Sequence, residues 1–408
     1  MREATEYIPL EELALRRERC LKLLADLQPE AGGLLVFSRP ALYYFTGLMS
    51  AGVFWLPRIG EPLLMVRKSL ERVALDAPHT RAALYRSYSD LVSLASAHGA
   101  PFTPVIAAEQ AALPWILADT LQRRLSQVVF VSGDTALSRA RVVKTAFELE
   151  IMREGGRRHA RGMEEILPER IRPGMTELEV AHEAMTVFFS LGGLGIHRQN
   201  AFGEEQYLGK VSVGDNGNYP SVFNGPVGGT GAHPSLPNLG SPTTIWKAGS
   251  ILIADFGFNH KGYLSDKTLC YFAGKKVAIP AKAQKAHDVC MAIEQAVGER
   301  LKPGVIPQEL YSLAVDMAEK SGFADGFMGA GANRVHFLGH GIGLCVDEWP
   351  VLAPRFANPL EAGMVVAVEP KIGLPGLAMV GSENIWEVTE SGGRCLSGGI
   401  RDIMCIEE

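Results

Sequence analysis

Five side chains in the second half of the chain could together hold divalent cations: Asp255, Asp266, His340, Glu369 and Glu383. The two aspartates lie eleven residues apart in ILIADFGFNHKGYLSDKTLCYF, residues 251–272, which reads as two apolar strands joined by the turn NHKG at 259–262. Cross-strand partners in a hairpin have a constant sum of residue numbers, and the turn centre sets that sum. Centring on His260 and Lys261 places Asp255 opposite Asp266, on one face, with Cβ atoms about 5 Å apart. Like charges so placed destabilise a sheet unless a cation lies between them. This pair therefore predicts a metal site, whereas a solvated turn-flanking aspartate would not belong in so apolar a strand.

Three further donors follow. VHFLGHGIGL carries His336 and His340 in a glycine-rich segment that favours a strand or tight loop, where the backbone can approach a ligand closely. His340 is the expected ligand. His336 fits a supporting or substrate-contact role better. GMVVAVEPKI closes an apolar strand on Glu369, and AMVGSENIWEVTE starts another at Glu383. An unpaired carboxylate there is costly to bury. The four carboxylates carry a charge that two divalent ions would neutralise. Hard oxygen donors with one nitrogen and no sulfur favour Mn, Fe, Co or Zn over copper. Two such ions about 3.5–4 Å apart can activate a shared water and stabilise a developing oxyanion.

The elements that must position these residues are consistent with two domains, since 408 residues exceed one ordinary core. Residues 10–27 have helical amphipathic spacing. GGLLVFS at 32–38, PLLMV at 62–66 and VVFVSGD at 128–134 read as buried strands, and ALYYFTGLM as an apolar run ending in a turn. A first α/β domain is thus expected over 1–140 and a second over 141–408. The latter opens on a long helix, 141–167, expected to break or loosen near Gly155 and Gly156. RPGMTELEVAHEAM from Arg172 and KPGVIPQELYSLAVDM from Lys302 share a basic-Pro-Gly entry before an acidic amphipathic helix. They read either as a common helix entry or as the trace of duplicated α/β halves with the site between them. Two metal residues in the first half and three in the second favour duplication.

Composition narrows the remaining possibilities. Apolar residues make up 47% and charged residues 21%, the balance of a globular protein. A net charge of −5, with no basic run interleaved with aromatics, gives no sign of a nucleic-acid partner or an anionic membrane. Six cysteines without a CxxC pair argue against a thiolate zinc site and a disulfide framework. No apolar leader or uninterrupted membrane-length run occurs, so a cytoplasmic location is expected. GAGANR at 329–334 lacks the last glycine of a dinucleotide fingerprint, and neither a P-loop nor a G-x-S-x-G elbow is present.

The order Asp, eleven residues, Asp, then Gly-His-Gly-Ile-Gly, Val-Glu-Pro and a final Glu before Val-Thr-Glu resembles the pita-bread metallopeptidase family over roughly 145–400. That family includes methionine aminopeptidase, aminopeptidase P, prolidase and creatinase, and the N-terminal segment is similar to the creatinase/prolidase N-terminal domain. The resemblance implies an α+β chain: a pita-bread C-terminal domain of duplicated α/β halves, preceded by a smaller α/β domain. It implies Asp255 and Asp266 on one metal, His340 and Glu369 on the other, and Asp266 and Glu383 bridging. It also implies a homodimer and a small peptide or other small-molecule substrate.

Departures from the pattern bear on substrate. Proline-specific relatives usually carry a further His seven residues after the metal His, where this chain has Asp347. An arginine usually stands two before the last Glu, where this chain has Gly381. His233 is either the family's substrate-facing His or an ordinary loop residue. Tyr219 and Trp349 either line a pocket or simply pack. The leading expectation is an Xaa-Pro peptidase-like hydrolase, in which a metal-activated water attacks the scissile carbonyl. Glu369 relays the proton, and His233 and His336 steady the tetrahedral intermediate. A creatinase-like hydrolase or a dimethylsulfoniopropionate-lyase-like elimination is the alternative, with Asp347 as base for a cationic substrate. A non-catalytic binding module fits less well, because the donor set is complete.

Overall fold

The structure, a computed structural model, describes residues 6–200 and 205–407. The chain divides into two compact units, Met1–Arg141 and Val142–Glu408. Among the described residues no helix is long and apolar enough to cross a membrane.

In the first unit the amphipathic run folds as the helix Leu10–Leu27, which buries Leu13, Cys20 and Leu24. The expected strands appear as Gly33–Val36, Leu63–Val66 and Val129–Ser132. They belong to a six-stranded sheet in the order Ala82–Leu84, Leu63–Val66, Gly52–Pro57, Gly33–Val36, Val105–Ala108, Val129–Ser132. The run ALYYFTGLM supplies most of a helix, Arg39–Thr46. Ser38 Oγ caps it by accepting from Ala41 N–H, and Gly47 closes it at φ 77°.

The second unit is built around the hairpin Ile251–His260 and Tyr263–Ala273, flanked by Gly209–Val213 and Met404–Ile406. Strand alternation sends Ile251 and Ile253 into one core and Leu252, Ala254 and Phe256 into another. The second core holds Val180, Ala184 and Phe188 of the helix Glu177–Ser190. The first holds Ala286, Cys290 and Ile293 of Ala281–Gly298 and Leu310 and Ala314 of Pro307–Lys320. Both faces of the hairpin are therefore covered, which is why apolar residues stand on both faces of its strands.

Both Pro-Gly entries adopt left-handed glycines, Gly174 at φ 98° and Gly304 at φ 87°, ahead of these helices. Only the first continues into a capping box, between Thr176 and Glu179.

The long helix differs from expectation. Ala146–Arg161 is unbroken through Gly155 and Gly156, and a separate helix, Asp134–Val142, precedes it. The two glycines serve close packing. A Cβ at Gly155 would lie 3.1 Å from His260 Cβ, and one at Gly156 would lie 2.3 Å from the Leu396 carbonyl oxygen. The helix loosens nearly two turns later, at the wide turn Gly162–Ile166.

Candidate metal centre

The hairpin turn sits one residue further along than its sequence pattern predicts. Lys261 at φ 51° and Gly262 at φ 90° form the two central positions of a type I′ turn, which requires positive φ at both. Glycine accepts that conformation without strain, so the turn settles on Lys261-Gly262 instead of His260-Lys261. The register follows: Asp255 faces Thr268, and Asp266 faces Gly257. The expected direct Asp255–Asp266 opposition is thus corrected to a diagonal one, still on one face but at the longer diagonal spacing of about 7–8 Å between partners.

The other donors come from strands that approach unusually closely. His340 lies in Gly339–Gly341, between Glu348–Leu352 and Val365–Val368. A Cβ at Gly339 would lie 2.0 Å from Ala367 O, and one at Gly341 2.0 Å from Trp349 O. Alternating glycines therefore let the imidazole strand pack between its neighbours. Glu369 follows Val365–Val368, and Glu383 precedes Asn384–Glu387, next to Thr268 through a bridge between the sheets.

All five expected metal residues line one cavity of about 400 Å³. Donor atoms of Asp266, His340 and Glu383 lie within 4.8 Å of one another, and this set can hold an ion. Glu369 Oε1 is 3.5 Å from His340 Nε2. The fully buried Thr268 hydroxyl stands 3.0 Å from Asp255 Oδ1 and 2.7 Å from Glu383 Oε2. It has one hydrogen and can donate to only one at a time. Lys371, also fully enclosed, donates to Glu383 Oε2 at 2.7 Å and Glu369 Oε2 at 3.0 Å.

The charges perturb one another strongly. Burial, and then the neighbouring Asp255, push the Asp266 carboxyl up to about 7. Burial and then Asp266 hold Glu383 well above the ordinary carboxylate value. Burial opposes the charged forms of Lys371, His340 and Glu369, yet their partners prevail. Asp255, Glu369 and Glu383 hold the lysine high, Glu369 raises His340 to about 10, and Lys371 with His340 lowers Glu369. Negative charge exceeds the cations present, and a divalent ion would relieve that excess.

Asp347 and Trp349 line the same cavity. Asp347 accepts a hydrogen bond from the Asn200 backbone N–H, and burial raises its carboxyl. His233, His336 and Tyr219 are exposed and lie outside the lining. The His233 ring is hydrogen-bonded to Ser235 Oγ at 2.7 Å, within its own loop.

The cavity's second imidazole is His197, which sequence reasoning missed. It lies over Gly257, where a Cβ would be 2.6 Å from its ring, and its strand is held by Asn259 Nδ2 donating to Ile196 O. A lone glycine inside an apolar strand marks such a close approach, and Gly257 was therefore the available signal. Burial pulls the His197 pKa down to about 4, so the ring is neutral at pH 7. Lys210, opposite Asp255 in the sheet, also lines the cavity, and its ammonium donates to Ser221 Oγ and Val227 O.

A buried polar layer behind the cavity-lining carboxylates ties their strands together. Residues 266 and 383 face the cavity while their neighbours face the other way. Lys267 donates to Asn384 Oδ1 at 2.6 Å, and Asn384 Nδ2 donates to Glu294 Oε1 at 2.7 Å. Trp386 Nε1 also donates to Glu294, and Ser382 bonds its other oxygen. Strand-to-strand anchors of this kind fix ligand orientation.

Carboxylates and one imidazole converging in the larger of two α/β units define a metallohydrolase-type protein. The chain belongs to metallopeptidase family M24, whose model matches residues 150–390, and a creatinase/prolidase N-terminal domain matches residues 16–143. It is accordingly a hydrolase with the pita-bread fold in its C-terminal domain, as the sequence resemblance implied. It is 28% identical over 393 residues to a probable dipeptidase PepE of Mycobacterium tuberculosis, covering 92% of each chain. It is 22% identical to an Xaa-Pro dipeptidase of Pyrococcus furiosus, covering 95% of this chain and 100% of that one. In fold it is similar to the solved Xaa-Pro dipeptidase from Bacillus anthracis, with a TM-score of 0.80 at 21% identity over 96% of this chain and 99% of that one.

Proposed function

We propose that this protein is a metal-dependent peptidase that cleaves short peptides at the bond preceding proline. The observation that carries the reading is the convergence of Asp266, His340 and Glu383 in a cavity large enough for a dipeptide. Mn, Fe, Co or Zn suits that donor set. A divalent ion there would acidify a water and polarise the scissile carbonyl. Glu369, hydrogen-bonded to Lys371 and close to His340, accepts the proton and returns it to the leaving nitrogen. The oxyanion-steadying part expected of His233 and His336 passes to His197, the neutral imidazole that lines the cavity. Relatives of 28% and 22% identity named as dipeptidases support the substrate class.

A second reading has an observation of its own. Phe223, Phe337 and Trp349 share the cavity with Asp347. Aromatic faces beside one carboxylate suit a small cationic substrate. Metal-loaded protein should release proline from Xaa-Pro dipeptides, and a chelator should stop it. Asp347→Ala should then change the turnover of neutral dipeptides less than tenfold. No release from any such dipeptide, or activity that survives complete metal removal, refutes the peptidase reading. Turnover of quaternary-ammonium substrates lost on Asp347→Ala would establish the second.

A further inference from the structure

We propose that the Lys371 ammonium takes the place of a second metal cation, so that the centre binds one divalent ion per chain. The inference rests on the metal-dependent reading of this site and deepens it. Lys371 Nζ lies 2.7 Å from Glu383 Oε2 and 3.0 Å from Glu369 Oε2, and its side chain is wholly enclosed. A divalent ion bound by those two oxygens would need them at about 2.0–2.2 Å. It would also have to share them with the ammonium. An ion and the ammonium cannot both sit against those two oxygens, and the lysine side chain is buried there.

The backbone is shaped for this lysine. Lys371 begins the strand Lys371–Leu374 and pairs with Gly381 of Ala378–Gly381. A Cβ at 381 would lie 2.5 Å from Lys371 Cγ and 2.6 Å from Pro370 O. Lys371 can therefore follow its path into the cluster only with glycine opposite. Gly381 stands where the family pattern places an arginine, so the positive charge has moved across the strand pair and inward.

Charge balance agrees. Asp255, Asp266, Glu369 and Glu383 are opposed by the ammonium groups of Lys371 and Lys210, and one divalent ion makes the group neutral. Two ions would leave a buried excess of positive charge, which is unfavourable. The oxygens and nitrogen of Asp266, His340 and Glu383, within 4.8 Å of one another, are the donors left for that ion.

The test is to equilibrate metal-stripped protein with excess Mn(II), remove unbound ion, and count manganese per chain by mass spectrometry with electron paramagnetic resonance alongside. The expected result is one ion per wild-type chain with an isolated-ion spectrum. Lys371→Met, which removes the charge and keeps the stem, should take up a second ion and show an exchange-coupled pair. Two ions, or none, on the wild-type chain overturns the proposal, as does a folded Lys371→Met chain that still binds one. If the variant does not fold, the wild-type count alone decides. The ion count does not depend on turnover, so failure of the peptidase reading would show in a separate dipeptide assay, as one bound ion with no dipeptide cleaved.

Discussion

Replacing Thr268 with valine removes a single hydroxyl from the fully buried contact between the two sheets and leaves the side-chain shape nearly unchanged. That hydroxyl reaches both Asp255 Oδ1 at 3.0 Å and Glu383 Oε2 at 2.7 Å, but its one hydrogen serves one carboxylate at a time. The loss is therefore one charge-assisted hydrogen bond, worth about 1.5–3 kcal/mol. At about 1.4 kcal/mol per tenfold, metal binding should weaken by roughly 10- to 100-fold. The assay is competition between the protein and a metallochromic chelator, with circular dichroism confirming a native fold. An affinity within about twofold of wild type would refute the reasoning, because it would mean the hydroxyl does not orient either carboxylate.

Two further outcomes follow from the packing. The unfolded chain takes up a proton on His197 near pH 6.5, but the folded chain only near 4, so the unfolded state binds more protons in between and stability falls as the pH drops. Between pH 7 and pH 4 wild type should lose about 3 kcal/mol of stability relative to His197→Asn in urea unfolding; a difference that does not vary with pH contradicts this. Gly156→Ala should lower the thermal midpoint, since a Cβ 2.3 Å from the Leu396 carbonyl costs about 1–3 kcal/mol and outweighs a helix-propensity gain of about 1 kcal/mol. A raised midpoint would show that the Leu396 backbone yields.

Much of the fold was legible because it depends on local patterns. Leu10–Leu27 followed from helical periodicity, and the core strands followed from apolar runs bounded by glycine and proline. The misread glycines show the limit of local reasoning. Gly155 and Gly156 look like helix breakers when weighed by propensity alone. In the structure their missing side chains admit His260 and Leu396, contacts more than a hundred residues away in sequence.

The sequence by itself determined that Asp255, Asp266, His340, Glu369 and Glu383 belong together, and to which family their order is similar. Residue type, strand parity and motif order are properties of the chain and survive a one-residue error in the turn. Only the tertiary structure decided what surrounds those residues. It set Thr268 opposite Asp255, put His197 in the cavity lining while His233 and His336 lie outside it, and drew the Lys371 ammonium between Glu369 and Glu383. Lys371 lies two residues from a site residue in sequence, yet whether a side chain there points to solvent or into the cluster depends on the strand it pairs with. Here that partner is Gly381, and the space left by its missing Cβ turns a substitution in the motif into a cation inside the site.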